Sequence, residues 1–417
     1  MVFYCITMKF NIFDSEKNFQ YILPLFFLFP IFKESLLTFL IIILSINTIF
    51  YLVQNKIKIA INKDVFLLTI PFWIVFISSV FYFKNFETLK PIKNVLFFLL
   101  FPVLFYFIPK SNFTDEKIKQ YITILKNSCL FIIFTYIIAF FYNYSVSDFF
   151  IVAHRVSKFR QFAYEEISFL KIHPTYFTSI VLFCLAFSLI NLFRYKKWSE
   201  LLYIVFFTLI IFLLVAKINL IFLFLFLLIF PLINLKGLFY QKILFYTSFL
   251  FISLFLIKNT PGLYERFHEL KISLTNAPKD LSYDSTNIRV ALYNCDYSLA
   301  KDNFWFGVGF ENIKNEIEYC LKSNYNSSFY LDHQYLSHNY FFYILISSGI
   351  LGLLGFLLYL THVLKIALRV NLFLFYFFFI NIIVVSLTED FFYRAFGSFY
   401  FNLIVLMYFK NYRSKES

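Results

Sequence analysis

Long apolar runs dominate the sequence, and the stretch from Leu201 to Ile233 is almost uninterrupted. A run of about 18 or more apolar residues is long enough to cross the hydrocarbon core of a bilayer as a helix. Of the 417 residues, 60% are hydrophobic and only 15% are charged, which leaves too little polar surface for a soluble protein of this length. The sequence therefore predicts an all-α polytopic membrane protein.

The apolar runs predict about twelve transmembrane helices, with approximate boundaries at 19–32, 35–53, 65–83, 94–109, 121–143, 174–193, 200–216, 218–234, 240–258, 340–361, 370–388 and 395–410. Only the polar residues Lys217 and Asn219 separate the seventh run from the eighth, and one continuous helix there would change both the count and the orientation. With both termini in the cytoplasm, the inner loops carry almost twice as many lysines and arginines as the short outer loops. Because positive residues prefer cytoplasmic loops, we expect both termini to be cytoplasmic.

The orientation of the spans also explains the excess of basic residues. The net charge is +13, but the basic residues lie in short loops between spans, where topology signals are expected. We therefore expect no nucleic-acid partner.

Two outer segments are too long to be simple connections, at about 143–173 and 258–339. Structureless loops of the second length are uncommon, so we expect a small helical domain there. The chain then divides into an N-terminal transmembrane region at 1–258 with about nine spans, an outer segment at 259–339, and a C-terminal transmembrane region at 340–417 with about three spans.

Cys295 and Cys320 both fall in the larger outer segment. An oxidising compartment would let them pair, whereas two free thiols are equally consistent with the sequence. Their spacing is not that of a metal site, and no metal-binding HExxH helix or nucleophile elbow occurs. We expect neither a metal nor a cofactor.

His338 lies where the larger outer segment meets a span. An imidazole there can take a proton from a hydroxyl near neutral pH, or it can simply anchor the membrane interface beside Tyr335 and Tyr340. The neighbouring Asn339 begins the same span.

Arg289 opens the pattern Arg289-x-Ala291-Leu292-Tyr293 in the same segment. Its planar guanidinium matches phosphate oxygens; taken alone, however, Arg289 is better explained as an arginine that extends to the membrane surface or pairs with Asp284 or Asp296.

Further along, Gly307-Val308-Gly309 is too short for a phosphate-binding loop and predicts a tight turn. Near the outer boundary of the last spans, we interpret Glu389 and Arg394 as an ion pair, because unpaired charges are costly there.

The smaller outer segment, around residues 153–162, indicates an interfacial amphipathic helix. Its apolar residues recur at helical spacing with basic residues between them, at Val152, Val156, Phe159 and Ala163. The helix could supply a second arginine for a diphosphate, Arg155 or Arg160, or it could attach to anionic lipid. His173, before Pro174 at the first turn of a span, either faces the same cavity as His338 or caps the helix.

Over residues 285–360, four short sequence patterns, taken in their order along the chain, resemble the O-antigen ligase/polymerase superfamily of bacterial envelope glycosyltransferases. The pieces are the Arg289 pattern, the Gly307-Val308-Gly309 turn, the His338-Asn339 pair and Gly349-x-x-Gly352. The arrangement of about a dozen spans, with one large outer segment before the late spans, is similar too.

The resemblance implies a GT-C-like, metal-independent glycosyltransferase of the bacterial inner membrane with its active face in the periplasm. Such enzymes move a glycan from undecaprenyl diphosphate to an acceptor hydroxyl, on lipid A–core for a ligase or on another glycan for a polymerase. By position, His338 would activate or orient the hydroxyl, and Arg289 would hold the diphosphate with Arg155 or Arg160. His173 and Asn339 would belong to the same substrate site, and the membrane lipid would be a further partner.

We favour a ligase, with a polymerase as the alternative. A lipid-linked glycan flippase or transporter is the alternative from another class. Transporters usually show internal repeats and charged or broken helices at mid-membrane. The sequence indicates neither, and the large outer segment favours an enzyme.

Overall fold

The computed structural model describes residues 14–58, 62–153, 155–167, 170, 172–234, 239–274, 276, 284–325 and 334–415. It is 80% helical, with a single two-stranded sheet among these residues, which confirms an all-α polytopic membrane protein. Cys5 lies outside the described residues.

The first part of the bundle contains eight α-helices, at α1 (Ser15–Phe26), α2 (Glu34–Gln54), α3 (Lys63–Leu68), α4 (Ile70–Phe81), α5 (Lys90–Val95), α6 (Phe97–Phe107), α7 (Asp115–Asn143) and α8 (Lys158–Gln161). Short 3-10 turns at Phe29–Ile31, Phe86–Leu89, Lys110–Phe113 and Ser147–Phe150 and a π-helical turn at Phe162–Glu166 complete this part.

The remaining helices follow in order, at α9 (Pro174–Tyr195), α10 (Glu200–Leu214), α11 (Lys217–Asn234), α12 (Phe239–Asn259), α13 (Leu263–Ser273), α14 (Asn287–Asp302), α15 (Ile313–Asn324), α16 (Tyr340–Val370), α17 (Phe373–Ser386) and α18 (Ala395–Lys415). Each of the twelve predicted spans coincides with one helix or with two consecutive ones. Within the described part of the chain, six helices are long and apolar enough to cross a membrane, and four shorter apolar helices accompany them. The number twelve stays a prediction.

The seventh and eighth predicted spans are separate helices. Val215 between α10 and α11 adopts a left-handed conformation with φ 45°, which ends α10. A β-branched residue rarely adopts positive φ, so the surrounding packing must hold this break in place. Directly after it, Lys217 begins α11.

Helix α16 reverses its direction at Gly349, where φ is 67° and ψ is −171°. In a straight helix, Tyr340 and Phe356 would lie ~24 Å apart at 1.5 Å per residue. Their ring centroids lie 5.2 Å apart, so residues 340–348 fold back along residues 350–370. His338 therefore leads into a short half-helix that packs beside the longer one.

The predicted tight turn at Gly307-Val308-Gly309 is confirmed, with φ 74° and 90° at its two glycines. It packs on the reversal of α16. The N–H groups of Val308 and Gly309 donate to the carbonyl oxygens of Ile346 and Ser347 at 2.8 and 2.9 Å. The turn thus satisfies carbonyl groups that the interrupted helix leaves without partners.

The larger outer segment contains α13, α14 and α15. A disulfide between Cys295 and Cys320 joins α14 to α15, which resolves the alternative between paired and free thiols. The predicted domain boundaries at 259–339 and 340–417 remain predictions.

The predicted amphipathic helix over residues 153–162 is wrong in its first half. Val152–Ala153 and Val156–Ser157 form an antiparallel two-stranded ladder, and only Lys158–Gln161 is α-helical. Arg155 has φ 63° at the turn between the strands. The helical spacing of the apolar residues is misleading here, because Val152 and Val156 are only half-buried in the hairpin, and Phe159 is buried from the short helix that follows it.

Polar contacts between spans hold two parts of the bundle together. The amide of Asn219 donates to the Thr178 hydroxyl at 2.6 Å, and Asn381 donates to the Asn219 side-chain oxygen at 3.1 Å, which ties α9, α11 and α17 together. Lys126 of α7 and Glu200 of α10 form a buried ion pair. A charged pair of this kind tolerates burial because each ion neutralises the other.

Candidate functional site

A cavity of about 700 Å³ opens where α9, α11, α13 and α14 meet the segments before α16 and after α17. Its lining includes the cations Arg160, Lys217, Arg266 and Arg289, the histidines His173 and His338, and the carboxylate Glu389.

Arg289 reaches the cavity from the first turn of α14. Its Nη1 donates to the Ser285 carbonyl at 2.8 Å, which is the bond that curls the side chain toward the helix start. Its Nη2 donates to Glu389 Oε1 at 3.0 Å. Its buried Nε has no hydrogen-bond partner among the described residues. Arg289 therefore keeps donor capacity for a ligand.

His338 stands in a left-handed conformation, φ 50°, just before α16. Its backbone N–H donates to Asp390 Oδ2 at 3.0 Å, which fixes that conformation. Its Nδ1 lies 3.6 Å from Glu389 Oε2, slightly beyond hydrogen-bond length. A small shift of the ring would make that bond.

The residue before His338 is held by another buried acid. The Ser337 hydroxyl donates to Asp296 Oδ2 at 2.7 Å. Burial raises the pKa of Asp296 well above its ordinary value, against the opposing effect of the Ser337 hydroxyl. Two acids, Asp296 and Asp390, thus anchor the peptide that carries His338.

Glu389 joins the arginine to the histidine, and the predicted ion pair with Arg394 is wrong. The sequence favours Arg394 because it is near in the chain, but the shortest side-chain contact of Glu389 is with Arg289, 100 residues away. Arg394 instead lies over the Tyr176 ring, 5.8 Å from its centroid. Burial opposes ionisation of Glu389, but His173, His338 and Arg289 outweigh it and lower the pKa of Glu389 well below its ordinary value.

The two arginine candidates of the smaller outer segment have different surroundings. Arg155 pairs with Asp284 at 2.8 Å, its side chain is 44% exposed, and it does not line the cavity. Arg160 does line the cavity, and its Nη1 donates to the Val215 carbonyl at 2.8 Å. Within the described part of the chain, Arg160 makes no ion pair with a carboxylate. Burial lowers the pKa of Arg160 to about 9, so it remains a cation at neutral pH.

His173 faces the cavity and also caps α9, so both roles that the sequence offered for this residue occur. Its Nδ1 accepts from the Thr175 N–H at 3.4 Å. Burial lowers the pKa of His173 to about 4, so the ring is neutral at neutral pH.

Asn339 caps a helix and lies outside the cavity lining. Its side-chain oxygen accepts from the N–H groups of Phe341 and Phe342, which caps α16, and it does not line the cavity.

Lys217 and Arg266 also line the cavity, and the sequence did not single them out as binding residues. The signal for Lys217 is its position inside an otherwise apolar run, because a lysine there is costly unless it has a partner. Its partner is Glu269, 3.0 Å away. Arg266 shows no such signal, because it lies in a polar segment without a motif.

Glu269 itself is almost completely buried. Burial opposes its ionisation, but the Ser285 hydroxyl and the charges of Lys217 and Arg266 outweigh that effect and lower the pKa of Glu269 to about 2.

The arrangement suits an anionic ligand. Four cations line the cavity against one lining carboxylate, with Glu269 behind the wall. No group of His, Cys, Asp and Glu suited to a metal ion occurs among the residues that the structure describes. Guanidinium and ammonium groups that converge in a recess bind phosphate oxygens by charge-assisted hydrogen bonds.

Residues 177–357 match a protein-family model described as O-Antigen ligase. The matched region contains Lys217, Arg266, Arg289 and His338, whereas Glu389 lies beyond it. No curated protein matches the chain.

Proposed function

Because the chain belongs to the O-antigen ligase superfamily, we propose that it transfers a glycan from undecaprenyl diphosphate to a hydroxyl of lipid A–core on the periplasmic face. The family carries a ligase- or polymerase-type function in lipopolysaccharide biosynthesis, and its members are glycosyltransferase-like enzymes of the inner membrane. Their partners are in general the lipid-linked glycan and lipid A–core.

The observation that carries the proposal is the convergence of Arg289 and His338 on Glu389 inside one cavity. A glycan transferred from a diphosphate needs an anion-binding group at the leaving group and a proton acceptor at the attacking hydroxyl. Arg289 can bind the leaving group, and His338, on the same carboxylate, can accept the proton.

Charge supports the donor class. A diphosphate diester carries two negative charges, and four lining cations exceed the single lining carboxylate by three. As the bond between the sugar and the phosphate breaks, further negative charge develops on the departing diphosphate. Arg289 and Arg160 stabilise it with fixed donors, which is the role of a metal ion in other transferases. We therefore propose a metal-independent reaction.

The proposed step is a single displacement. The acceptor oxygen forms a bond to the sugar carbon, and the bond from that carbon to the phosphate oxygen breaks. The electron pair leaves with undecaprenyl diphosphate, and the hydroxyl proton passes to His338. Glu389 stabilises the resulting imidazolium, because its carboxylate stays ionised and lies 3.6 Å from Nδ1.

The periplasmic face is supported by two independent features. The disulfide between Cys295 and Cys320 lies in the segment that forms the cavity wall, and disulfides persist in the periplasm rather than the cytoplasm. The excess of basic residues in the opposite loops favours the same orientation, with both termini in the cytoplasm.

The test is a strain that lacks this protein, complemented with the wild type or with Arg289→Ala, His338→Ala, Arg160→Ala or Arg155→Ala. We expect the first three variants to reach the membrane but to leave long glycans on the lipid carrier. Arg155→Ala serves as the matched control, because Arg155 lies outside the cavity, and should retain transfer.

The same strain separates the alternatives. Single repeat units on the carrier, in place of long glycans, would identify a polymerase. Donor trapped on the cytoplasmic face would identify a flippase. Normal ligation by His338→Ala or Arg289→Ala would remove that residue from the proposed mechanism.

A further inference from the structure

We propose that Tyr335 and Asn294 form a saccharide subsite at the polar end of the cavity, where a pyranose of the acceptor lies with one hydroxyl beside His338. This subsite rests on the proposed function and names the residues that recognise its acceptor. It follows from an aromatic ring, an amide and an imidazole that line one part of the same cavity.

The lining of the cavity changes in chemistry from one end to the other. Cations of α11 and α13 line one end, whereas aromatic, amide and hydroxyl side chains line the end near His338, at Tyr293, Asn294, Tyr335 and Thr388. The Tyr293 hydroxyl lies 3.4 Å from the His338 carbonyl oxygen, so the wall that α14 contributes reaches this histidine. Aromatic rings with a few placed polar groups suit a ligand that has both hydroxyls and C–H groups, as a sugar does.

Tyr335 places an aromatic ring next to the proposed proton acceptor. Its ring centroid lies 5.8 Å from that of His338, and both half-buried side chains line the cavity. The face of an aromatic ring is negative, whereas the C–H groups of a pyranose carry partial positive charge, so the two attract each other. A sugar packed on Tyr335 is therefore close enough to turn one hydroxyl toward the imidazole.

Asn294 supplies the hydrogen-bonding part of the subsite from α14. Its Nδ2 donates to the Tyr325 hydroxyl at 3.0 Å, which fixes the plane of the amide. This contact takes one of the two N–H donors, and the amide oxygen can accept as well. An amide that offers a donor and an acceptor side by side suits two neighbouring hydroxyls of one sugar ring.

The disulfide holds this wall of the cavity in place. Cys295 follows Asn294 directly, and its partner Cys320 lies five residues before Tyr325, which ends α15. The amide and the hydroxyl that orients it thus stand on two helices that are covalently joined. Such a support lowers the entropy cost of ordering the side chains when a sugar binds.

Helix α14 also sets the distance between this subsite and the donor. Arg289 and Asn294 both line the cavity five residues apart, which is ~7.5 Å at 1.5 Å per residue. Under the proposed function Arg289 holds the diphosphate, so the transferred sugar lies between the two residues. The acceptor sugar then lies beyond it, beside Asn294 and His338, which is why we assign the subsite to the acceptor.

The test measures glycan transfer by the purified full-length protein in liposomes, with undecaprenyl-diphosphate-linked glycan as donor and lipid A–core as acceptor. Initial rates give a separate KM for each substrate. We expect Tyr335→Ala to raise the acceptor KM about tenfold and to leave the donor KM unchanged, because the acceptor alone packs on this ring. Tyr335→Phe keeps the ring and should keep an acceptor KM close to that of the wild type.

Three further variants sharpen the experiment. Asn294→Ala should also raise the acceptor KM. Tyr325→Phe removes the same internal hydrogen bond but keeps the amide, so it should raise that KM less than Asn294→Ala does. Tyr297→Ala changes a tyrosine of α14 that is 68% exposed and outside the cavity lining, and it should match the wild type.

An unchanged acceptor KM in folded Tyr335→Ala, with transfer intact, would overturn the subsite and leave the proposed function in place. A raised KM for the donor alone would also overturn it, because the two residues would then bind the donor glycan. A fall in kcat with both KM values unchanged would show that Tyr335 only positions His338. If the wild type transfers no glycan to lipid A–core, the proposed function itself fails, and the subsite fails with it.

Discussion

Arg289 donates to Glu389 at 3.0 Å across 100 residues of sequence. The other oxygen of the same carboxylate faces His338 Nδ1 at 3.6 Å. One buried anion therefore sets the distance between the group that would hold the diphosphate and the group that would accept the proton. Glu389 therefore positions Arg289 and His338 and does not itself bind the leaving group.

The first prediction concerns Glu389→Gln. We expect kcat to fall about 10- to 100-fold, because His338 loses the carboxylate that stabilises its protonated form. Donor affinity should not fall, since the cavity loses a negative charge. Steady-state kinetics separates the two effects, with Glu165→Gln at an exposed position as the control. A raised KM for the donor with unchanged kcat would contradict this role.

The second prediction concerns the reversal of α16. Gly349 has φ 67°, and a Cβ there would collide with the Trp305 carbonyl. We expect Gly349→Ala to lower the free energy of unfolding by about 2 kcal/mol or more, from backbone strain and collision together.

Gly355→Ala is the matched control for that variant. Gly355 is helical, and a Cβ there would first meet the Ile74 side chain at 3.3 Å, so the stability should change little. Thermal unfolding in detergent compares the two variants. Equal unfolding temperatures would show that the reversal tolerates a side chain.

The third prediction concerns pH. Burial raises the pKa of Asp390 from its ordinary value of 3.8 to about 6. Folding therefore takes up a proton between these values, and the contribution of Asp390 to stability falls as the pH rises through this window and then levels off.

Asp390→Asn keeps an acceptor for the His338 N–H but cannot ionise. Between pH 4 and pH 7, the free energy of unfolding of Asp390→Asn should rise relative to that of the wild type by up to about 3 kcal/mol. Thermal unfolding of both proteins across this range measures the gain. A constant difference would mean that Asp390 does not titrate there.

The fourth prediction concerns the disulfide, which closes a loop of 25 residues. We expect Cys295→Ala/Cys320→Ala to lose about 3 kcal/mol of stability, because the unfolded chain gains conformational freedom. Maleimide labelling of denatured protein from cells, with and without prior reduction, also tests the face. Free thiols at both positions in untreated cells would contradict a periplasmic location.

Much of the fold follows from sequence because each span is a local property of an apolar run. The break at Val215 and the reversal at Gly349 do not follow in this way. Helix α16 reads as one continuous apolar segment, and its reversal depends on the turn at Gly307 from another part of the chain.

The candidate site likewise contains residues that the sequence indicates and residues that only the fold brings in. Arg289 and His338 belong to recognisable local patterns, so the sequence could single them out. Lys217 stands out in an apolar run, but its partner Glu269 lies 52 residues later in the sequence, so only the fold shows the pair. The sequence pairs Glu389 with its neighbour Arg394 because nearness in the chain favours such a pair, whereas the fold brings Arg289 closer to it.

Transfer by the purified protein in liposomes, with undecaprenyl-diphosphate-linked glycan and lipid A–core, tests the shared roles of Arg289 and His338 most directly. We predict that Arg289→Ala and His338→Ala each slow transfer at least about 100-fold. His338→Ala should bind the donor like the wild type, whereas Arg289→Ala should bind it more weakly, because one charge-assisted contact to the diphosphate is lost. Transfer at the wild-type rate by either folded variant would contradict the account.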